Sequence, residues 1–148
     1  MYKHILIATD GSELGDLAVN HGIALAASVK ARVTVVNVTE TWSAVDMAFE
    51  AHKHASNPVK QFEDIATAYA NKTLDAASEK ARKAGLSVDT VHVPNRHAAE
   101  GVVATANDKG CDLIVMASHG RRGVGRLILG SQAYEVLTHT KIPTLIVR

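Results

Sequence analysis

The stretch from residue 118 to residue 131 holds the residues whose types and spacing best suit the binding of an anion. It reads SHGRRGVGRLILGS and contains four glycines, three arginines and a hydroxyl residue, Ser131, at the expected start of a helix. Glycines let backbone N–H groups approach an anion closely, and a helix N-terminus adds unpaired N–H groups and the positive end of its dipole. The stretch therefore suits a phosphate cradle. A surface loop capped by Ser131 is the alternative that spacing alone leaves open.

Two standard phosphate motifs can be tested against these letters, and neither fits. A Walker A loop requires G-x-x-x-x-G-K-[ST], and Gly120 and Gly125 have that spacing, but Arg and Leu follow where lysine and a hydroxyl residue are needed. The dinucleotide fingerprint G-x-G-x-x-G starts at Gly123 and fails at Ile128. Both interpretations are therefore rejected.

Other residues with chemical potential carry weaker signals. His119 has the chemistry of an acid or base, but no nucleophile or orienting carboxylate is identifiable beside it. His52 and His54 resemble a fragment of a metal site, and two ligands without a third nearby favour a solvated loop. Loop arginines either clamp phosphate or are solvated. Cys111 is expected to be a small buried hydrophobe.

Composition narrows the classes of protein to which these residues can belong. The chain has 148 residues, 47% hydrophobic and 21% charged, which suits a single domain over 1–148 and excludes wholesale disorder. Sixteen basic and fifteen acidic residues leave a net charge of +1, which argues against nucleic acid or an anionic membrane as the main partner. One cysteine cannot form an internal disulfide, and the sequence has neither a signal-peptide pattern nor an apolar run near ~18 residues. We therefore expect a cytoplasmic protein.

Short β-rich runs alternate with longer helical patterns along the whole chain. The runs predict strands over residues 4–8, 32–38, 87–93, 112–117 and 144–147. Helical patterns lie near 12–25, 58–85, 99–106 and from 131 onwards, with Ser12 as the expected N-cap of the first helix. Residues 39–57 break the pattern and predict a long loop. The alternation predicts one doubly wound α/β domain with a parallel sheet and helices on both of its faces.

Apolar side chains three and four residues apart predict which faces of the first two helices are buried. In the first helix these residues are Leu14, Leu17, Ala18, His21 and Leu25. In the second helix they are Phe62, Ile65, Ala66, Tyr69, Thr73, Ala76 and Ala77. Both sets are expected to face the sheet.

The carboxyl ends of the strands are where a ligand is expected. In open α/β sheets, ligands bind outside these ends at the point where the strand order reverses. Here the ends of strands one, two and four hold Asp10-Gly11-Ser12, Val38-Thr39 and Ala117-Ser118-His119-Gly120. The candidate phosphate cradle therefore follows directly from one of these ends.

Two of these segments together resemble the universal stress protein family. Thr9-Asp10-Gly11-Ser12 follows the first strand, and the family's G-x-x-G, nine residues, G-[ST] follows the fourth. The second motif reads Ala117-Ser118-His119-Gly120, nine residues, then Gly130-Ser131. The resemblance covers essentially the whole chain, including the ending KIPTLIV.

The resemblance implies a five-stranded parallel sheet in the order 3-2-1-4-5 and a homodimer in which the fifth strand pairs with its mate. It also implies binding of ATP, with Mg²⁺ as an optional companion ion. Asp10 would then contact adenine or ribose, Val38 would offer backbone contact to adenine, and Ala117 would lie against the ribose. The residues implied as phosphate ligands, through backbone amides and a hydroxyl, are Gly120, Gly130, Ser131 and Gln132.

The chain departs from the family's motif at Ala117, where the first glycine is expected. If that position needs a positive φ, alanine is strained there; if it has ordinary strand geometry, only a methyl group is added.

Three functions follow as hypotheses: a dimeric ATP-binding stress-response module with little or no turnover, a dimeric interaction protein that binds no nucleotide, and a slow ATP hydrolase.

Overall fold

The computed structural model describes residues 1–40, 57–119 and 129–148. Within these ranges strands and helices alternate, as the sequence pattern predicts. In chain order they are β1 (His4–Ala8), α1 (Glu13–Val29), β2 (Arg32–Val38), α2 (Pro58–Lys83), β3 (Val88–Val93), α3 (Ala98–Asp108), β4 (Leu113–Ala117), α4 (Ser131–His139) and β5 (Thr144–Val147). Residues 41–56 lie outside the described residues, and so do the predicted long loop's histidines, His52 and His54.

The described strands form one parallel sheet in the order β3-β2-β1-β4-β5, which confirms the predicted topology. Ile5 of β1 lies opposite Val33 of β2 on one side and opposite Leu113 of β4 on the other. The chain moves outward from β1 through β2 to β3 and then returns to place β4 on the other side of β1. The strand order therefore reverses between β1 and β4.

Both faces of the sheet are covered, and β1 shows why its sequence is a continuous apolar run. Ile5 and Ile7 pack into a core beneath α1 and α2, whereas Leu6 and Ala8 pack into a second core beneath α3 and α4. All five residues of the strand are buried. A strand between two helical layers has no solvent side, so apolar residues do not need to alternate with polar ones.

The buried faces of the first two helices differ from the predicted stripes. In α1, Leu17 is 41% exposed, and in α2, Ile65 is 70% exposed. Ala18 and Ala77 are buried as predicted. The other buried residues of α1 are Gly15, Val19, Gly22, Ile23 and Ala26, and those of α2 are Ala70, Leu74 and Ala81. In α1 the buried face is displaced from the predicted stripe toward Gly22, where the helix packs closely on the sheet. A Cβ on Gly22 would lie 2.5 Å from Ile7 Cδ1.

One side chain of the second core, Cys111, follows the sequence expectation. Cys111 is buried, and its burial raises the pKa of the thiol to about 11, so the group is a neutral thiol at physiological pH. No helix in the described ranges has both the length and the apolar character needed to cross a bilayer.

A buried histidine lies at the amino end of the sheet. His4 is 4% exposed, with Nε2 2.9 Å from Thr34 Oγ1 and Nδ1 3.4 Å from a guanidinium nitrogen of Arg32. Burial, reinforced by Arg32, lowers the pKa of His4, although Asp89 and Asp112 oppose the shift. The native state therefore favours neutral His4.

We predict that part of the acid sensitivity of this fold comes from His4. Unfolded histidine has a pKa near 6.5, so below that pH the unfolded chain binds a proton that native His4 resists, and stability falls as the pH drops toward the lowered native pKa. The free energy of unfolding, measured by urea titration at pH 7 and pH 5, should fall less between these values in His4→Gln than in wild type. His21 is exposed, so His21→Gln serves as the control. Its free energy of unfolding should fall between pH 7 and pH 5 as much as that of wild type. Equal losses in wild type and His4→Gln would contradict the prediction.

Candidate functional site

The first part of the candidate site is the loop that joins β1 to α1. The Thr9 N–H still donates to Val36 O at 3.0 Å, and beyond it Asp10 Oδ1 accepts a hydrogen bond from the N–H of Ser12 at 3.0 Å. Ser12 Oγ then accepts from the N–H of Gly15 at 3.1 Å, so Ser12 is the N-cap of α1, as predicted. These bonds hold the Asp10 carboxylate at the carboxyl end of the central strand.

Gly15 is a site residue that sequence reasoning missed. A Cβ on this residue would lie 2.8 Å from Asp10 Oδ1 and 2.9 Å from Thr9 Oγ1. The first turn of α1 therefore lies directly against the Asp10 loop only because the side chain is absent. The available signal was a glycine inside a helix, a position that costs about 1 kcal/mol relative to alanine and needs a packing reason.

A second missed residue, Tyr69, holds the same loop from α2. The prediction placed it in a core-facing stripe, but its hydroxyl donates to the Asp10 carbonyl at 3.1 Å. Gly11 between Asp10 and Ser12 has φ +76°, and a Cβ there would lie 2.5 Å from Tyr69 Oη and 2.7 Å from Thr73 Oγ1. The loop therefore combines a left-handed residue with a close helix contact, and both require glycine.

The end of β2 supplies the second part of the site. Val38 pairs with Val93 of β3, and a Cβ on Gly101 of α3 would lie 2.8 Å from the Val38 side chain. The next residue, Thr39, donates its N–H to Val93 O at 2.9 Å, and its hydroxyl lies 2.8 Å from His92 Nε2. Burial lowers the pKa of His92. The backbone around Val38 is therefore fixed on both sides.

The end of β4 supplies the third part and answers the question raised by Ala117. This residue is the last of β4 and pairs with Val147. Among the described non-glycine residues, positive φ values occur at Lys30 and Asn95, and Ala117 is not one of them. Alanine therefore fits this position without backbone strain, and the departure from the family motif adds only a methyl group.

The chain returns to the end of β4 at Gly130. Its N–H donates to Ser118 O at 2.8 Å, and a Cβ would lie 2.9 Å from that oxygen and 3.0 Å from His119 Cβ. Glycine is therefore needed for close approach. Because its N–H is already engaged, the Gly130 amide does not offer the free donor expected for a phosphate contact, and Gly130 shapes this end of β4 through the missing side chain.

The start of α4 corrects one prediction. Ser131 was expected to cap this helix, but Gly130 is the N-cap and exposed Ser131 is the first helical residue. No side-chain cap bond forms at this helix start within the described part of the chain. The first N–H groups of a helix have no intrahelical acceptor, so the amides of Ser131 and Gln132 are oriented as donors. The Gln132 side chain has another contact: Oε1 accepts from the N–H of Ala99 at 2.9 Å.

The topology brings these three parts to one edge of the sheet. Ala8 of β1 lies beside both Val36 of β2 and Met116 of β4, so the loops that follow β1, β2 and β4 are adjacent. A carboxylate lies on the β1 side and the positive end of a helix dipole on the β4 side. Gly120 and the three loop arginines lie outside the described residues. Within those residues, no group of three or more metal-ligating side chains comes together.

All residues from 1 to 148 match the model of the universal stress protein family. The chain belongs to this family. Universal stress protein YxiE of Bacillus subtilis is 28% identical over 152 residues, with all of both chains covered. A putative universal stress protein of Staphylococcus epidermidis is 30% identical over 154 residues, covering 99% of this chain and 84% of its own length.

Solved structures of other universal stress proteins share the fold. The UspA protein of Lactobacillus plantarum superposes with a TM-score of 0.83 at 18% identity, covering 99% of this chain and 98% of its own. A universal stress protein in complex with cAMP has a TM-score of 0.73 at 22% identity, covering 99% of this chain and 97% of its own. The universal stress protein from Archaeoglobus fulgidus in complex with dAMP has a TM-score of 0.72 at 17% identity, covering 99% of this chain and 98% of its own.

We predict that Gly11→Ala destabilises this universal stress protein more than Gly85→Ala does. Both glycines have φ near +75°, but a Cβ on Gly85 has nothing within 4 Å, whereas one on Gly11 meets Tyr69 and Thr73. Gly85→Ala should cost about 1 kcal/mol for the left-handed backbone alone, and Gly11→Ala should cost about 1–3 kcal/mol more. Urea unfolding of both variants measures the difference, and equal losses would show that α2 does not constrain the loop.

Proposed function

We propose that this universal stress protein binds ATP across the ends of β1 and β4 and acts as a nucleotide-responsive stress-response module of the cytoplasm with little or no turnover. The observation that carries the proposal is the start of α4. Its first amides have no side-chain cap within the described residues, and they follow a glycine that lies against the end of β4. The Asp10 loop follows β1, the strand beside β4. Such a helix start is a ready anion site.

Each part of the site has a separate task in this proposal. The amides of Ser131 and Gln132 and the Ser131 hydroxyl bind phosphate oxygens. Gly120, which lies outside the described residues, is proposed as a further phosphate ligand because of its place in the family motif. A carboxylate repels phosphate, so Asp10 binds an N–H or hydroxyl group of the nucleoside. The Val38 backbone lies along the adenine, and Ala117 packs against the ribose, where a methyl group adds apolar contact.

Two of the structural neighbours support an adenine nucleotide as the ligand, since they were solved with cAMP and with dAMP. Their ligands differ from ATP in the number of phosphates, so the neighbours support the ligand class rather than ATP itself. Any Mg²⁺ is proposed to arrive on the nucleotide, because protein-bound Mg²⁺ is commonly held by one or two carboxylates together with substrate phosphates.

We predict that the wild-type chain binds ATP in isothermal titration calorimetry and that Asp10→Ala weakens the affinity at least tenfold. The variant loses a charge-assisted hydrogen bond to the nucleoside, a contact worth about 1.5–3 kcal/mol. Asp108→Asn is the matched control, because it removes a carboxylate from the end of α3 at the opposite edge of the sheet and should leave the affinity unchanged.

Three outcomes would count against the proposal, two of them in this titration and one in an assay of ATP hydrolysis. No heat with wild type at millimolar ATP would favour the interaction protein that binds no nucleotide. Binding that appears only in Ala117→Gly would show that the methyl group blocks the site, even though alanine causes no backbone strain at the end of β4. Multiple turnovers of hydrolysed ATP, lost in Asp10→Ala while binding is retained, would favour the slow hydrolase.

We also propose that the chain forms a homodimer through the outer edge of β5. This strand pairs with β4 on one side only within the described residues, and its Leu145 is 40% exposed. An apolar edge strand with free N–H and C=O groups is a template for pairing with another chain. The neighbouring helix α4 adds Tyr134 and Leu137, which are 61% and 41% exposed.

We predict that Leu145→Lys converts a dimer to a monomer in sedimentation equilibrium at micromolar concentration, because a charge is then placed in the paired edge. Ile65→Lys is the control, since Ile65 is more exposed but lies on α2, which packs over β3 at the other side of the sheet. Dimers that survive Leu145→Lys and dissociate in Ile65→Lys would place the interface elsewhere.

A further inference from the structure

The side chain of Gln132 joins the first turns of two helices. It is the second residue of α4, and its Oε1 accepts a hydrogen bond at 2.9 Å from the N–H of Ala99, the second residue of α3. This N–H is one of the four that a helix leaves without an intrahelical acceptor. One carboxamide therefore caps α3 from within α4.

Within the described residues, neither N-cap residue of these two helices caps its helix with a side chain. His97 is the N-cap of α3 and makes no side-chain cap bond, and Gly130 is the N-cap of α4 and has no side chain to make one. The positive ends of two helix dipoles thus lie on either side of the Gln132 carboxamide. For stability alone, a carboxylate is the better group at such a position, because it accepts the same bond and interacts favourably with both dipoles.

The chain carries the neutral amide instead. The first turns of α4 and α2 contain no acidic residue, whereas those of α1 and α3 contain Glu13, Asp16 and Glu100. The Glu100 carboxylate of α3 lies 3.8 Å from the Arg96 guanidinium, which offsets its charge. A carboxylate at position 132 would lie within one helical turn of the amides proposed to bind phosphate. It would repel the polyanion that those amides attract.

We propose that Gln132 determines specificity at this site: its neutral carboxamide caps α3 while keeping the start of α4 free of negative charge, so that a polyphosphate binds there. This inference rests on the proposed function. It separates two effects of the Gln132 side chain, because a carboxylate at this position would improve the cap of α3 and would weaken the binding of phosphate.

The test compares Gln132→Glu and Gln132→Met with wild type. Thermal unfolding without ligand measures the cap, and calorimetric titration with ATP, inorganic tripolyphosphate and adenosine measures the site. Gln61→Glu is the charge-matched control, because Gln61 is exposed in the first turns of α2, which covers the opposite face of the sheet.

For stability, Gln132→Glu should have a melting temperature equal to or above that of wild type, since the acceptor is kept. Gln132→Met should melt about 2–4 °C lower, because the Ala99 N–H loses its acceptor while the side-chain volume is nearly unchanged. For binding, Gln132→Glu should weaken ATP and tripolyphosphate at least tenfold and leave adenosine within about twofold, because only the phosphates meet the new charge.

The outcomes separate this inference from the proposed function. Wild type that binds none of the adenine compounds overturns both. Wild type that binds ATP, together with Gln132→Glu that binds it equally well, overturns the inference alone, and so does an equal loss of ATP and adenosine. A Gln132→Glu variant that melts well below wild type would show that the amide is needed for packing rather than for its neutrality.

Discussion

The architecture depends on the burial of β1 between two parallel neighbours, β2 and β4. Since helices cover both faces of the sheet, the strand is held by apolar packing in two cores and by backbone hydrogen bonds on both edges. The chain must then leave β1 in one direction and return on its other side. That reversal leaves the loops after β1 and β4 next to each other with backbone groups that the sheet does not use.

The described residues after β1 and after β4 present different groups at this edge of the sheet. The Asp10 loop is held by hydrogen bonds from Ser12 and Tyr69 and presents a carboxylate. On the other side, Gly130 lies so close to Ser118 that α4 begins beside the end of β4, with no side-chain cap on its first amides in the described chain. A ligand with a polar neutral part and an anionic part matches this division of charge.

Much of the fold could be predicted from the sequence. Continuous apolar runs such as residues 4–8 and the turn signals after them locate the strands, because a doubly covered strand must be apolar throughout. The buried face of α1 was predicted only in part, because Gly22 makes one of its closest contacts with the sheet and a pattern of larger apolar residues does not locate a glycine. In the site, Tyr69 and Gly15 were missed because each acts on Asp10 from a helix, and such a contact is visible only in three dimensions.

In our proposal the first amides of α4 bind the phosphates of a nucleotide whose other end lies at the Asp10 loop. Backbone ¹H–¹⁵N NMR during titration with ATP tests this residue by residue. We expect the largest shifts at Ser131 and Gln132, accompanied by Gly11 and Ser12, while Gly85 and Gly110 at the far edge of the sheet stay unchanged. Saturation with ATP that leaves the amides of Ser131 and Gln132 unmoved would contradict it.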